Sequence, residues 1–341
     1  MNLIEKNIKK YDKNDMFSLL KNFPKHCYEG YNVETPLVAK KFKKIIFTGM
    51  GGSGISGDIM KILLEEKNIP VFVVKDYVLP SFTDEESLVI AESYSGNTEE
   101  TLNTYKIAKE RKSLILCVSS NGELEKLCQK DNIPIIKIPL GLPPRCAFGY
   151  LFFTVYKFFV NLNILSKLDN GFFKKIENWT NEFLPSNENN RGIEIAGKFF
   201  KKIPLIYSEN RFLPGILRWK TQIAENSKNF CFINVLPEMN HNEIMSFYFP
   251  KYFLKKLIVL FVISGLENER IKKRIDITKD LISNKINEVL MIELKGDTIL
   301  EKLLYLIIFG DWVSFYLAIL NKINPTEIRE IDILKEKLKG G

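Results

Sequence analysis

The chain alternates short apolar runs with longer segments of helical length, and it does so in both halves. In the first half the apolar runs KKIIFTGM, VFVVKD, SLVIAES, SLILCVSS and PIIKIP are accompanied by segments such as GDIMKILLEEK and TEETLNTYKIAKERK. In the second half KKIPLIYSE, NFCFINVLP, KKLIVLFVIS and EVLMIELKG have the same character. Runs rich in Ile, Val and Phe that alternate with helices predict βαβ units, in which the strands lie parallel in one sheet.

The two halves also resemble each other in detail. KKIIFTGMGGSGISGDIMKILLEE and KKIPLIYSENRFLPGILRWKTQIAE both predict a strand, a turn and a helix, but the glycine-serine turn of the first is ENRFLPG in the second. A loop able to wrap an anion therefore survives only in the first half. Between the halves, PSNENNRG has the Pro, Asn and Gly content of a linker. We predict an α/β fold of two doubly wound, flavodoxin-like domains, residues 1–185 and 186–341, each a mostly parallel sheet flanked by helices.

Composition and charge limit the partners. The 49 basic and 41 acidic side chains give a formal charge of +8, but the lysines are scattered and form no stripe interleaved with aromatic residues. This distribution predicts solvated faces and no nucleic-acid partner. The apolar stretches 147–165 and 303–320 are interrupted by Lys, Asn, Gly and Asp residues. We therefore expect buried core helices at these positions and no membrane partner.

Cysteine and histidine usage argues against a metal centre and against export. The five cysteines are widely spaced, without a CxxC pair or a neighbouring histidine ladder. We therefore expect free thiols, a cytoplasmic location and no metal. The charged start MNLIEKNIKKYDKND lacks the apolar run of a secretory signal, which agrees with a cytoplasmic location.

The turn GMGGSG, residues 49–54, follows a predicted strand and opens a predicted helix. Glycines let the backbone turn tightly and approach a phosphate, and the free N–H groups at a helix start attract negative charge. The glycines fit the spacing G-x-G-x-x-G, and Asp76 at the end of VFVVKD stands where a ribose-binding acid would. From this turn alone, a nicotinamide-dependent oxidoreductase and another kind of phosphate site both remain open.

A second turn, SYSGNTEET at residues 93–101, favours a compact phosphate over a dinucleotide. Ser93, Ser95 and Thr98 are spaced to direct several hydroxyl groups, with backbone N–H groups, at one dianion. A dinucleotide-binding domain has no use for such a loop. The two turns together therefore predict a site for the phosphate of a small molecule.

The SYSGNTEE turn resembles the sugar isomerase (SIS) domain, which binds phosphosugars. FTGMGGSGISGD, SYSGNTEE, PPRCAFGYLF, AENSK, NVLPEMNHNE and DWVSFYLAILNKINPTEI together resemble the bifunctional phosphoglucose/phosphomannose isomerases of archaea and bacteria. With IDILK these motifs run from Phe47 to Lys335. The resemblance implies two tandem SIS domains and interconversion of glucose 6-phosphate and mannose 6-phosphate with fructose 6-phosphate. It also implies passage through a cis-enediol, with neither metal nor organic cofactor.

The resemblance also assigns roles to individual residues. Glu225 in AENSK would be the proton-transfer base, although by its pattern alone it is an ordinary helix-surface glutamate. His241 in NHNE and Lys335 in IDILK would assist ring opening, and Arg145 in PPRCAFGY would stabilise the enediolate. The phosphate would be held by residues of the two turns: Gly52, Ser53, Ser93, Ser95 and Thr98.

Two points are left open by the resemblance. The PTP motif usual in the family is PTE here, at residues 325–327, near the region that discriminates the C2 epimers, although Thr326 is retained. Activity on mannose 6-phosphate is therefore less secure than activity on glucose 6-phosphate.

The family implies a homodimer with the active site near the subunit interface, so that His241 or the C-terminal segment belongs to a partner's site. A non-catalytic sugar-phosphate sensor is the alternative, but no DNA-binding segment is evident before Lys44.

Overall fold

The computed structural model of the chain describes residues 3–36 and 41–339. Every strand predicted from the apolar runs is present, and the α/β fold is confirmed. The strands are β1 Lys44–Thr48, β2 Val71–Val74, β3 Ser87–Glu92, β4 Leu114–Ser119, β5 Ile135–Lys137, β6 Ile203–Glu209, β7 Phe232–Leu236, β8 Leu257–Ile263 and β9 Glu288–Glu293. The helices are α1 Leu3–Tyr11, α2 Met16–Lys21, α3 Phe23–Tyr31, α4 Gly51–Leu64, α5 Glu99–Glu110, α6 Glu123–Asp131, α7 Phe148–Asn161, α8 Asn170–Glu182, α9 Arg191–Phe199, α10 Leu213–Ser227, α11 Lys251–Leu254, α12 Glu269–Ser283, α13 Ile299–Leu320 and α14 Arg329–Lys339.

The chain divides into two compact units. The first unit is Asn22–Asn178, and the second combines Met1–Lys21 with Trp179–Gly341. This division differs from the predicted boundary after residue 185, because it falls inside α8 and because the N-terminal helices join the second unit. Aromatic packing accounts for both differences. The ring of Phe183, just beyond α8, lies 4.8 Å from that of Phe309 on α13, and Phe17 on α2 lies 5.6 Å from Trp312 on the same helix.

The first unit is a five-stranded parallel sheet with the strand order β2-β1-β3-β4-β5. All six residues of β3, SLVIAE, are buried, because helices cover both faces of a parallel sheet. On one face Val89 and Ala91 pack against α5 and α6, while on the other Phe47 meets α4 and α7. From β1 the chain adds β2 on one side and then β3 on the other, so the direction of strand addition reverses between β1 and β3. The loops after these two strands flank this topological switch point. In open α/β sheets such a point is where ligands bind, outside the carboxyl ends of the strands.

The second unit contains a four-stranded parallel sheet with the order β7-β6-β8-β9. Helix α13 is long and apolar enough to cross a membrane, but 94% of its most apolar stretch is buried inside the protein. The Trp219 indole of α10 donates to the Leu306 carbonyl of α13 at 2.7 Å. A Cβ atom added to Gly310 would stand 2.2 Å from the Trp219 ring, so the two helices need a glycine to approach this closely. The prediction that residues 303–320 form a core helix is confirmed.

One buried ion pair joins the same two helices. The Asp311 carboxylate of α13 accepts from the Arg218 guanidinium of α10 at 2.9 and 2.7 Å, and from the Gln222 side chain at 2.9 Å. The side chains of Arg218 and Asp311 are 3% and 6% exposed. Because both charges are removed from water, each requires the other.

Candidate active site

The two predicted phosphate loops follow neighbouring strands, β1 and β3. Thr48 at the end of β1 pairs with Ala91 in β3, so the loops leave the sheet side by side. A Cβ added to Gly49 would stand 2.8 Å from the Glu92 carbonyl oxygen and 3.0 Å from the Cβ of Ser53. Only glycine allows this approach, and the approach brings both loops to the switch point.

In the first loop the candidate anion site is formed by the backbone. Met50 has an extended conformation and gives no side-chain cap to α4, and Gly51 has a φ of +53° that favours glycine. The N–H groups of Ser53 and Gly54 donate to the Met50 carbonyl at 3.1 and 3.3 Å, and the dipole of this helix start favours an anion outside the loop. A Cβ at Gly52 would lie 3.4 Å from the Pro144 carbonyl oxygen and 3.7 Å from the Cα of Arg145. The structure thus brings the turn that carries Arg145 against the phosphate loop.

In the second loop the hydroxyl groups of Ser93 and Thr98 lie close together. The hydroxyls of Ser93 and Thr98 lie 2.9 Å apart, and Thr98 gives no side-chain cap to α5, although it is the N-cap residue. Ser95 is half-buried in the same turn, and its hydroxyl accepts from the Asn97 N–H at 3.3 Å. The turn therefore presents hydroxyl groups at the start of α5, which suits an anion.

The turn after β4 holds the second loop in place. Gly96 has a φ of +65°, and a Cβ at this position would stand 1.7 Å from the Asn121 carbonyl oxygen. The Asn97 side chain donates to the Ser95 carbonyl at 3.0 Å and accepts from the Glu123 N–H at 3.0 Å. Because these bonds fix the backbone from both sides, the loop is preorganised for its ligand.

Glu92, the last residue of β3, is a functional candidate that the sequence reasoning missed. It directly precedes Ser93, its side chain is 1% exposed, and neither carboxyl oxygen has a hydrogen-bond partner in the described part of the chain. Burial raises the pKa of Glu92 well above its usual range. The Ser56 hydroxyl opposes this shift without forming a hydrogen bond of normal geometry. The available signal was an acidic residue that ends the otherwise apolar run SLVIAE.

The structure places the other three predicted catalytic residues in the second unit, on separate elements. Glu225 is half-buried in the last turn of α10, and its carbonyl accepts from the Lys228 ammonium at 2.9 Å. His241 is exposed at the end of a short 3-10 turn, Glu238–His241. Lys335 is exposed on α14. Six of the predicted residues, those of the loops and Arg145, are therefore brought together in the first unit, and these three lie in the other.

The described residues contain no group of three or more His, Cys, Asp or Glu side chains that could hold a metal ion. All five cysteines are buried thiols. The absence of a metal requirement stays a prediction.

Two family descriptions match the chain. The SIS domain matches residues 39–137, and the bacterial phospho-glucose isomerase C-terminal SIS domain matches residues 188–338. A hypothetical protein of known structure from Thermus thermophilus has a similar fold, with a TM-score of 0.76 at 13% identity. That alignment covers 99% of this chain and 94% of the other. The chain is therefore built from two tandem SIS domains.

Two relatives show which family of SIS-domain proteins the chain belongs to. The relative from Caldicellulosiruptor bescii is 37% identical over 334 residues, which are 95% of this chain and 98% of the relative. The relative from Aquifex aeolicus is 38% identical over 300 residues, 87% of this chain and 91% of the relative. Both are named bifunctional phosphoglucose/phosphomannose isomerase, and the present chain belongs to that family. The resemblance drawn from the motifs is confirmed.

Proposed function

We propose that this protein interconverts glucose 6-phosphate and mannose 6-phosphate with fructose 6-phosphate, without a metal ion or an organic cofactor. The observation that carries the proposal is the pair of glycine- and hydroxyl-rich loops at the β1/β3 switch point, in a chain of the isomerase family. Their two helix starts and three hydroxyl groups suit the terminal phosphate of one hexose. The buried cysteine thiols support a cytoplasmic location.

The proposed reaction moves one proton between two adjacent carbons. The carboxylate of Glu225 takes the proton from C2 of the open-chain aldose and returns it to C1, while the hydroxyl proton of O2 is transferred to O1. The intermediate is a cis-enediol, and Arg145 stabilises the negative charge that develops on its oxygens. His241 and Lys335 assist ring opening by moving a proton between the ring oxygen and the O1 hydroxyl. The roles follow the family resemblance, and the position of Arg145 beside Gly52 supports one of them.

The active protein is proposed to be a homodimer. The second unit exposes several large apolar side chains near His241, including Met245 at 69%, Phe249 at 76% and Tyr252 at 76%. On α14, Leu334 and Leu338 are also exposed, at 58% and 53%. Exposed apolar surface of this kind marks a protein interface, and a second copy would cover it. Light scattering should therefore give twice the chain mass, whereas a monomer would refute the dimer and any contribution of a partner's residue to the site.

A pair of matched measurements tests the base. Glu225→Gln should abolish turnover of all three hexose 6-phosphates and leave calorimetric binding of fructose 6-phosphate within about twofold, because the amide cannot take a proton. Ser53→Ala with Ser95→Ala should lose binding instead. Unchanged turnover in Glu225→Gln would refute the base assignment. Tight binding by the wild type with no deuterium exchange from solvent at C1 or C2 would favour the sensor.

Lys335 has its own control on the same helix. Lys335 and Lys337 are both exposed on α14, so their replacement removes the same charge from the same element. Lys335→Ala should slow turnover of the cyclic sugars, and Lys337→Ala should not. Equal effects would mean that charge, not position, matters. A coupled assay with both hexose 6-phosphates, in the presence of chelator, tests the epimer range that the PTE motif leaves open and the independence from metal.

A further inference from the structure

A basic cavity of about 340 Å³ lies in the second unit, between α12 and the segment that carries His241. Three cations line it, Arg270, Lys273 and Arg274, together with Asn240. Their spacing of three and four residues places all three cations on one face of α12. No proposed catalytic or phosphate-binding residue lines this cavity.

The cations of the basic cavity have no acidic counterpart. Among the described lining residues there is no Asp or Glu, and no ion pair of the described chain involves Arg270, Lys273 or Arg274. Asp276 and Asp280 belong to the same helix but do not line the cavity, and both are exposed. Lys272, on the far side of the helix, is paired with a glutamate at 2.9 Å. Because like charges on one helix face repel, these three cations favour an anion between them.

Hydrogen bonds order the cavity wall. The Asn240 side chain donates to the Thr278 hydroxyl at 2.8 Å, and its amide oxygen accepts from the Arg274 guanidinium at 3.4 Å. Arg274 is consequently held half-buried in the wall instead of extending into water. A solvated basic face needs neither a cavity nor such fixation, whereas a guanidinium held in place is suited to bidentate recognition of a phosphate.

We propose that the basic cavity is a second anion site, which binds a small phosphorylated metabolite separately from the substrate cradle of the first unit. The volume falls within the range of small-molecule sites and exceeds the need of inorganic phosphate alone. Three cations without a counter-charge select a ligand that carries two or more negative charges. The ligand class is therefore a phosphomonoester or diphosphate of a small organic molecule.

A ligand in this second site would influence the proposed active site through the turn that carries His241. Asn240 and His241 are neighbours in the turn Glu238–His241. A ligand that bonds to Arg274 and Asn240 fixes the backbone that carries His241, and it should alter turnover. This consequence rests on the proposed function, whereas the binding itself does not.

The experiment measures binding with inorganic pyrophosphate by calorimetry, in full-length protein. In the Ser53→Ala/Ser95→Ala background the substrate cradle is disabled, and pyrophosphate should still bind at one site. Adding Arg270→Gln and Arg274→Gln should weaken that binding by about tenfold or more, because each guanidinium supplies charge-assisted hydrogen bonds. The control pair Lys272→Gln and Lys279→Gln removes two charges from the opposite face of α12 and should leave the affinity unchanged.

Three results would overturn the proposal. Pyrophosphate binding that disappears in Ser53→Ala/Ser95→Ala would assign all binding to the cradle. Equal losses in the two α12 double variants would indicate nonspecific attraction to a basic helix. Binding unaffected by Arg270→Gln and Arg274→Gln would place the anion elsewhere. None of these readouts uses isomerase activity, so failure of the proposed function would be recognised separately, from Glu225→Gln.

Discussion

Glu92 places a buried carboxyl at the base of the phosphate loops, and this should make the protein less stable as the pH rises. Burial raises the pKa of Glu92 well above its ordinary value of 4.5. Between 4.5 and the raised value, the unfolded chain has released this proton and the folded protein has not. The unfolded state is therefore favoured increasingly with pH, and the penalty is absent below the ordinary pKa.

The magnitude follows from proton linkage. Throughout that pH range the folded protein holds one proton more than the unfolded chain. Glu92 therefore lowers the free energy of unfolding by about 1.4 kcal/mol per pH unit. Glu92→Gln keeps the shape and the neutral state but has no proton to lose. Above the ordinary pKa, the stability of the variant relative to the wild type should therefore rise with pH until the raised pKa of Glu92 is reached. Any constant cost of the amide cancels in this difference.

The assay must report on the unit that contains Glu92. All three tryptophans lie in the other unit, so tryptophan fluorescence would follow the wrong transition. Hydrogen exchange of the β1 and β3 amides in both proteins, at several pH values, measures the opening of the right sheet. Glu110→Gln, which changes an exposed residue of α5, should give a pH-independent difference. The same flat difference for Glu92→Gln would refute the reasoning, because it would mean that Glu92 ionises alike in both states.

Two further substitutions test the loop and the core. Gly96→Ala would place a Cβ 1.7 Å from the Asn121 carbonyl oxygen, so the loop must move and fructose 6-phosphate affinity in calorimetry should fall about tenfold or more. Gly141→Ala, with a φ of +92° but open space, should leave that affinity intact, and equal losses would contradict the argument. Asp311→Ala removes the carboxylate that faces buried Arg218 and should cost about 3–5 kcal/mol in urea unfolding followed by tryptophan fluorescence. A cost below about 1 kcal/mol would show that the pair is not needed.

The sheets could be predicted because their signals are local. Each strand is a run of β-branched and aromatic residues, and the fully buried SLVIAE shows the continuous apolar character of a strand covered on both faces. The unit boundary had no such signal. It depends on aromatic pairs such as Phe17 with Trp312, whose members are far apart in the chain and come together only in the fold. The polar, proline-containing segment PSNENNRG was correctly predicted to be a loop, but the division between the two units does not fall there.

The same distinction separates the parts of the candidate site. In a phosphate site the backbone itself is a ligand, so glycines, hydroxyl residues and a strand-to-helix turn must occur in a fixed order, and that order is visible in GMGGSG and SYSGNT. Proton transfer uses one side chain on an ordinary element. Glu225 and Lys335 accordingly look like helix-surface residues in the sequence, and in the fold Lys335 is as exposed as Lys337. Because neither pattern nor burial distinguishes Lys335 from Lys337, only a matched pair of variants on one helix can separate a role in ring opening from the general effect of charge.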